Sequence, residues 1–173
     1  RDLHSFPTRR SSDLVAKESG QAAATILWEN VVKQYARMLP TSLGNAVWID
    51  LLNPTKEEEK AVEEALKVNV PTREEMAEIE VSSRLYQENE ATFMTATVIA
   101  GAETDTPRAS AITFVLVRGV LITVRHADPQ PFRMFAQVCE RRPNVCANGD
   151  AAFLGIIEAI IDRLADILER AHA

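Results

Sequence analysis

Histidine and cysteine are nearly missing from this 173-residue chain, which holds three of the first and two of the second. Zinc-type sites and thiol redox pairs draw on several such residues at close, fixed spacing. Cys139 and Cys146 match neither a C-x-x-C redox pair nor a zinc knuckle. Cys139 falls on the apolar side of an expected helix, and both are read as buried, unpaired core thiols. His126 lies at a strand end beside Asp128-Pro129, where a loop role is expected. No G-x-S-x-G elbow, G-x-x-x-x-G-K loop or H-E-x-x-H pair occurs anywhere. An enzyme is therefore not expected.

Positive charge is also short. Lys and Arg total 19 against 25 Asp and Glu, a net charge of -6. Phosphate backbones are gripped by clustered Lys and Arg, which are absent, so nucleic acid is not an expected partner. Long apolar runs are missing too. The longest, AITFVLVRGVLITV from Ala111 to Val124, is broken by Arg118-Gly119. A bilayer-spanning helix needs roughly 20 mostly apolar residues, so this stretch is too short and too rich in β-branched residues to cross. Internal repeats, low-complexity tracts and a secretory leader pattern are likewise absent, and cytosolic exposure is the default expectation.

The first fourteen residues, RDLHSFPTRRSSDL, back-translate to a string that resembles a common sequencing-library adapter. Arg1 to Leu14 are therefore read as a non-native, adapter-like segment and set aside. His4, Arg9 and Arg10 then say nothing about ligands. What remains is long enough for one domain with a real core, and 46% hydrophobic with 25% charged residues is ordinary for a globular protein.

Residues 15–45 form a segment of open origin, since the adapter ends just upstream and Met38 offers an alternative start. Val15 to Pro40 reads as a weak amphipathic helix anchored by Ile26, Val31 and Tyr35. From Ala46 the pattern firms. AVWIDLL is β-prone and ends at Asn53-Pro54. Thr55 and Glu58 have the spacing of a capping box, which opens the helix KEEEKAVEEALKV. Thr72 and Glu75 repeat it before a second helix expected to run to about Glu80, with Met76 and Ile79 inward. ATFMTATVI alternates as a strand does, and AITFVLV and VLITVR are joined by Arg118-Gly119 as a hairpin. Asp128 is expected to N-cap a helix with Pro129 at its first position. That helix carries Phe132, Phe135, Val138 and Cys139 on one side and stops near Arg141-Arg142-Pro143. A last helix starts near Asn148 or Asp150, with Phe153, Ile157, Ile160, Leu164, Ile167 and Ala171 forming its buried seam. The expected fold class is α/β, a mixed β-sheet flanked by helices.

The informative charge feature is on that last helix. Glu158, Asp162, Asp166 and Glu169 recur at intervals of four, four and three, which puts all four carboxylates on one face. Magnesium takes oxygen ligands, keeps several waters and is held by as few as one or two carboxylates, so such a ridge suits weakly held, hydrated Mg2+. The alternative is a solvated face relieved by Arg163 and Arg170, both within helical reach of Asp166. The clusters Glu57-Glu58-Glu59 and Glu63-Glu64 are read as solvent-facing helix.

Taken in order, VWIDLLNPTKEEE, VPTREEMAEIEVSSRLY, FMTATV, TVRHADPQPF and AAFLGIIEAIIDRLADILER resemble the N-terminal cytoplasmic domain of the CorA-like family of divalent-cation transporters, over about residues 46–173. The resemblance implies an α/β/α sandwich that assembles as a homopentameric funnel on the cytoplasmic side of the bacterial inner membrane. It also implies a long stalk helix, two membrane helices and a Gly-Met-Asn pore motif further along. Regulatory Mg2+ bound between subunits would hold the closed state, bridging acidic surfaces that otherwise repel.

This sequence departs from that pattern in two ways. It stops before the stalk, so it is expected to be a soluble fragment that meets the membrane only through absent C-terminal helices. After the Pro-x-x-x-Glu pattern, here Pro71 to Glu75, better-known magnesium channels carry an aspartate that binds regulatory metal, and the matching residue here is Met76. A thioether is a poor magnesium ligand, so Glu75 or Glu78 would have to replace it. The expected metal contacts are Glu158, Asp162 and Asp166, with Glu75 and Glu78. A stand-alone soluble α/β interaction module without transport activity is the alternative reading.

Overall fold

In the computed structural model, residues 23–28, 31–35, 46–77, 84–104 and 106–172 are described. Seven strands form one sheet: β1 (Ala23–Trp28), β2 (Val31–Tyr35), β3 (Ala46–Leu52), β4 (Leu85–Glu88), β5 (Ala91–Ala100), β6 (Arg108–Val117) and β7 (Val120–Arg125). Their order is β2-β1-β3-β7-β6-β5-β4. The β3–β7 pair is parallel, with Asp50 opposite Thr123, and every other pair is antiparallel. The helices are α1 (Lys56–Leu66), α2 (Arg73–Ala77), α3 (Gln130–Arg141) and α4 (Gly149–Ala171), with a 3₁₀ turn at Pro143–Cys146 before α4.

Strand alternation sends neighbouring residues to opposite faces of the sheet. Ile49, Leu51, Phe93, Val115, Ile122 and Val124 meet α1 and α2 through Val62, Leu66 and Met76. Trp48, Ile112, Phe114 and Leu121 meet Phe132 and Phe135 of α3 and Ala152, Ile156 and Ile160 of α4. Both faces are covered, so the α/β sandwich read from the sequence is the fold observed. Its two cores account for most of the burial that holds the strands together.

Local signals explain the element ends. Thr55 Oγ1 accepts the Glu58 N–H at 3.2 Å while Glu58 accepts the Thr55 N–H at 2.8 Å, the reciprocal capping box. The β6–β7 turn places Arg118 at φ 47° and Gly119 at φ 78°, the left-handed pair that a two-residue hairpin favours. From that turn Arg118 donates to the Leu66 carbonyl at 2.9 Å, so a cation meets the C-terminal end of α1, which has no basic residue of its own in its last turn. Asn148 caps α4 through the Ala151 N–H at 2.9 Å.

Four expectations are corrected. Part of the segment read as a helix, Val15 to Pro40, forms β1 and β2, and β1 pairs with β3 from Ala23–Leu52 to Trp28–Ala46. Pairing along a free β3 edge satisfies backbone groups that a helix beside it would leave open. Met38 and residues 1–14 lie outside the described residues. Cys139 and Cys146, expected as free thiols, form a disulfide with Cα atoms 6.0 Å apart. The 3₁₀ turn folds Cys146 back under the end of α3, a contact that sequence spacing did not signal.

The N-cap of α3 is Pro129, without a side-chain bond, because the Asp128 carboxylate is taken by Arg125 and Arg133. Leu164, expected in the buried seam of α4, is exposed, whereas Ala152, Ile156 and Ile160 are buried. Beyond Ile160 the helix runs past the sheet, and Ile161 and Leu168 remain 58% and 61% exposed. Strand β4 was not anticipated. The second helix is described only to Ala77, so its expected continuation to Glu80, with Ile79, lies outside the described residues.

Candidate functional site

The carboxylates singled out on the last helix lie in or beside the part of α4 that runs past the sheet. Glu158, Asp162, Asp166 and Glu169 are all exposed, and none has an ion-pair partner among the described residues. Arg163, one of the two arginines expected to relieve them, reaches across to Glu103 in the β5–β6 loop at 3.3 Å. Its guanidinium is thus engaged by Glu103 and makes no ion pair with the ridge among the described residues. Among the described residues, no group of three or more His, Cys, Asp or Glu side chains converges on one point. The ridge is therefore a row of separate, solvent-facing carboxylates and not an enclosed site.

Glu75 stands at the start of α2, where Oε2 accepts both the Thr72 N–H at 2.8 Å and the Thr72 hydroxyl at 3.0 Å. The Thr72 hydroxyl in turn accepts the Glu75 N–H at 3.2 Å. One carboxylate oxygen of Glu75 is thus engaged in capping. Met76 is 3% exposed and packs in the core on the α1 side of the sheet, an inward position suited to a thioether and closed to a hydrated cation. Glu78 lies outside the described residues.

A buried polar constellation among the described residues was not anticipated from the sequence. It sits on the α3 face at the C-terminal ends of the parallel pair β3 and β7. Asp50 Oδ1 accepts from Thr123 Oγ1 at 2.7 Å and from Arg125 Nε at 2.8 Å, and its Oδ2 accepts from Arg125 Nη2 at 2.6 Å. Trp48 Nε1 donates to the same Thr123 hydroxyl at 3.0 Å. Asp50, Thr123 and Arg125 are all buried. The chain continues outward: Arg125 Nη1 donates to Asp128 Oδ1 at 2.7 Å, Arg133 grips Asp128, and Glu103 lies between Arg133 at 3.9 Å and Arg163 at 3.3 Å. Alternating charges thus connect the middle of the sheet to α3, the β5–β6 loop and α4.

Electrostatics follow from that placement. Burial works against the Arg125 charge, but Asp50, then Asp128, outweigh it and raise its pKa. The guanidinium also lies 4.7 Å from the centre of the Phe132 ring. Burial alone would raise the Asp128 pKa, yet Arg125 and Arg133 hold it below the usual carboxylate range. Both oxygens of Asp50 are occupied, so this cluster is structural: it sets the strand ends and the start of α3. A sequence signal did exist, since Asp50 shares the inward face of Trp48 in AVWIDLL and Arg125 that of Leu121 in VLITVR. Buried charges of opposite sign on adjacent strands ask for each other.

Residues 44–173 match the profile of the family described as CorA-like Mg2+ transporter protein. The magnesium transport protein CorA of Wolinella succinogenes is 29% identical over 137 residues, covering 75% of this chain and 42% of the relative. That of Escherichia coli strain K12 is 28% identical over 131 residues, covering 76% and 42%. This chain thus spans about two-fifths of the length of these curated relatives. Among solved structures, the soluble domain of CorA from Methanocaldococcus jannaschii superposes with a TM-score of 0.66 at 12% identity, covering 87% of this chain and 60% of that one. The ZntB cytoplasmic domain from Vibrio parahaemolyticus RIMD 2210633 gives 0.56 at 15% identity, covering 88% and 64%. At such identities the superpositions speak for the fold. No helix among the described residues is long and apolar enough to cross a membrane.

Proposed function

This chain belongs to the CorA-like Mg2+ transporter family, and from that membership we propose that it is the cytoplasmic regulatory domain of a magnesium or related divalent-cation transporter. The family match over residues 44–173 carries the reading, and the CorA-type sandwich supports it. In the whole transporter the domain would sit on the cytoplasmic side of the bacterial inner membrane, within a homopentamer. Its part there would be to sense the ion that the pore carries.

The proposed contacts are Glu158, Asp162 and Asp166, with Glu75 and Glu78. Their fit to Mg2+ is specific in kind. Carboxylate oxygens suit the hard cation, and an exposed ridge lets it keep most of its water. Asp162 and Asp166 are one helical turn apart, so each bound ion would neutralise neighbouring like charges. A second acidic surface, such as one on another copy of the chain, would complete the coordination. Glu75 would contribute only the oxygen left over from capping Thr72.

Thermal melting of the 173-residue chain in millimolar MgCl2, against NaCl of equal ionic strength, tests this reading. Magnesium is expected to raise the melting temperature beyond the sodium control. Asp162→Asn with Asp166→Asn should remove the difference. Superimposable magnesium and sodium curves would count against cation sensing by this domain.

A further inference from the structure

We propose a second ligand site, unrelated to the acidic ridge: the cleft between α2 and the ends of β6 and β7 binds one small tetrahedral oxyanion of the phosphate or sulfate type. The cleft is lined by Arg73, Met76, Ala77, Ala109, Ser110, Ala111 and His126. Among the described lining residues, Arg73 and His126 present hydrogen-bond donors on the α2 side of the sheet, and none is a carboxylate. At about 190 Å³ it is smaller than the roughly 300 Å³ at which sites for drug-sized molecules begin, so it suits a single ion and not a nucleotide.

Each donor has spare capacity. Nε2 of His126 is shielded from solvent and has no hydrogen-bond partner among the described residues, an arrangement that is costly for a buried polar atom unless a ligand answers it. Arg73 is exposed and makes no ion pair with the described residues. Met76, Ala77, Ala109 and Ala111 supply apolar walls, which strengthen any hydrogen bond to a charged oxygen.

The charges acting on His126 define a signature. Burial, then Arg73, lower its pKa, and Glu74 opposes them. An anion seated between Arg73 and the ring would cancel the effect of Arg73 and favour the imidazolium. Glu74 repels the same anion from outside the lining, so binding is expected in the millimolar range. A divalent cation would meet Arg73 and, among the described lining residues, no carboxylate, so this cleft is separable by charge from the acidic ridge on α4.

The test is an NMR titration of the His126 ring in the full chain with inorganic phosphate, at ionic strength held constant with NaCl. Saturable shifts are expected, with a His126 pKa that rises as phosphate is added. Arg73→Gln should weaken binding about tenfold, the loss of one charge-assisted contact, and Glu74→Gln should tighten it. Both side chains are exposed, so neither variant threatens the fold. Shifts that grow linearly without saturation, an affinity unchanged by Arg73→Gln, or saturation of the same resonances by MgCl2 would overturn the proposal.

Discussion

Asp50 and Arg125, 75 residues apart in the chain, form a two-point ion pair at the ends of adjacent parallel strands, with contacts of 2.8 and 2.6 Å and both side chains about 95% buried. A buried pair of this kind need not add net stability, because desolvation of both ions offsets their attraction. Removing one partner is another matter.

Arg125→Met should leave Asp50 buried without its counter-ion, and Asp50→Asn should leave Arg125 with Asp128 alone. Each is expected to lower unfolding free energy by about 3–5 kcal/mol in urea titrations. The double variant Asp50→Asn/Arg125→Met should lose less than the sum. Additive losses would mean the two residues stabilise the fold independently.

Acid stability should carry the mark of Asp128. Its folded pKa lies below the ordinary 3.8, so the unfolded chain takes up the proton first as pH falls. The stabilisation is present above about pH 4 and is lost as pH drops through the lowered folded value. Asp128→Asn should flatten that part of the stability profile, measured as urea midpoint against pH.

His126 predicts a separate loss nearer neutrality. Its folded pKa is lowered, so below the unfolded value of about 6.5 the unfolded state binds the extra proton and stability declines. His126→Gln should reduce the decline between about pH 7 and pH 5. An identical slope in the variant would assign that decline to other groups.

The Cys139–Cys146 bridge closes a short loop around the 3₁₀ turn, with both residues at most 5% exposed. Its removal in Cys139→Ser/Cys146→Ser should cost on the order of 2 kcal/mol through the unfolded chain. Thiol labelling of the denatured protein should find no free thiol before reduction and two after it. Two free thiols at the outset would contradict the bridge.

Two glycines set how closely α4 approaches its neighbours. A Cβ on Gly149 would stand 2.6 Å from the Leu121 nitrogen, and one on Gly155 would stand 2.1 Å from the Phe135 ring. Backbone cannot yield as a ring can. Gly149→Ala should therefore destabilise more than Gly155→Ala, both by at least about 1 kcal/mol in thermal or urea melts.

Much of this was readable in the chain. The capping boxes at Thr55 and Thr72, the Arg118-Gly119 turn and the alternation of Phe93 to Val98 all act over a few residues, so their spacing alone specifies them. The Asp50–Arg125 pair, the Cys139–Cys146 bridge and the two β1 pairings depend on which strands and turns become neighbours. No local period encodes that choice. The carboxylate face at Glu158, Asp162 and Asp166 was legible because helical spacing is local. Its isolation from Arg163 was not, because Glu103 competes for that guanidinium from 60 residues away.

By itself, then, the sequence determined the kinds of element from β3 onward except β4, most of their ends and an acidic face on the last helix, since each follows from short-range sterics, capping and periodicity. Only the tertiary structure decided which charges are buried together, which cysteines meet, where Asp128 spends its carboxylate and how far α4 runs beyond the core. Those outcomes are settled by competition among distant groups for the same hydrogen bonds and the same dry space.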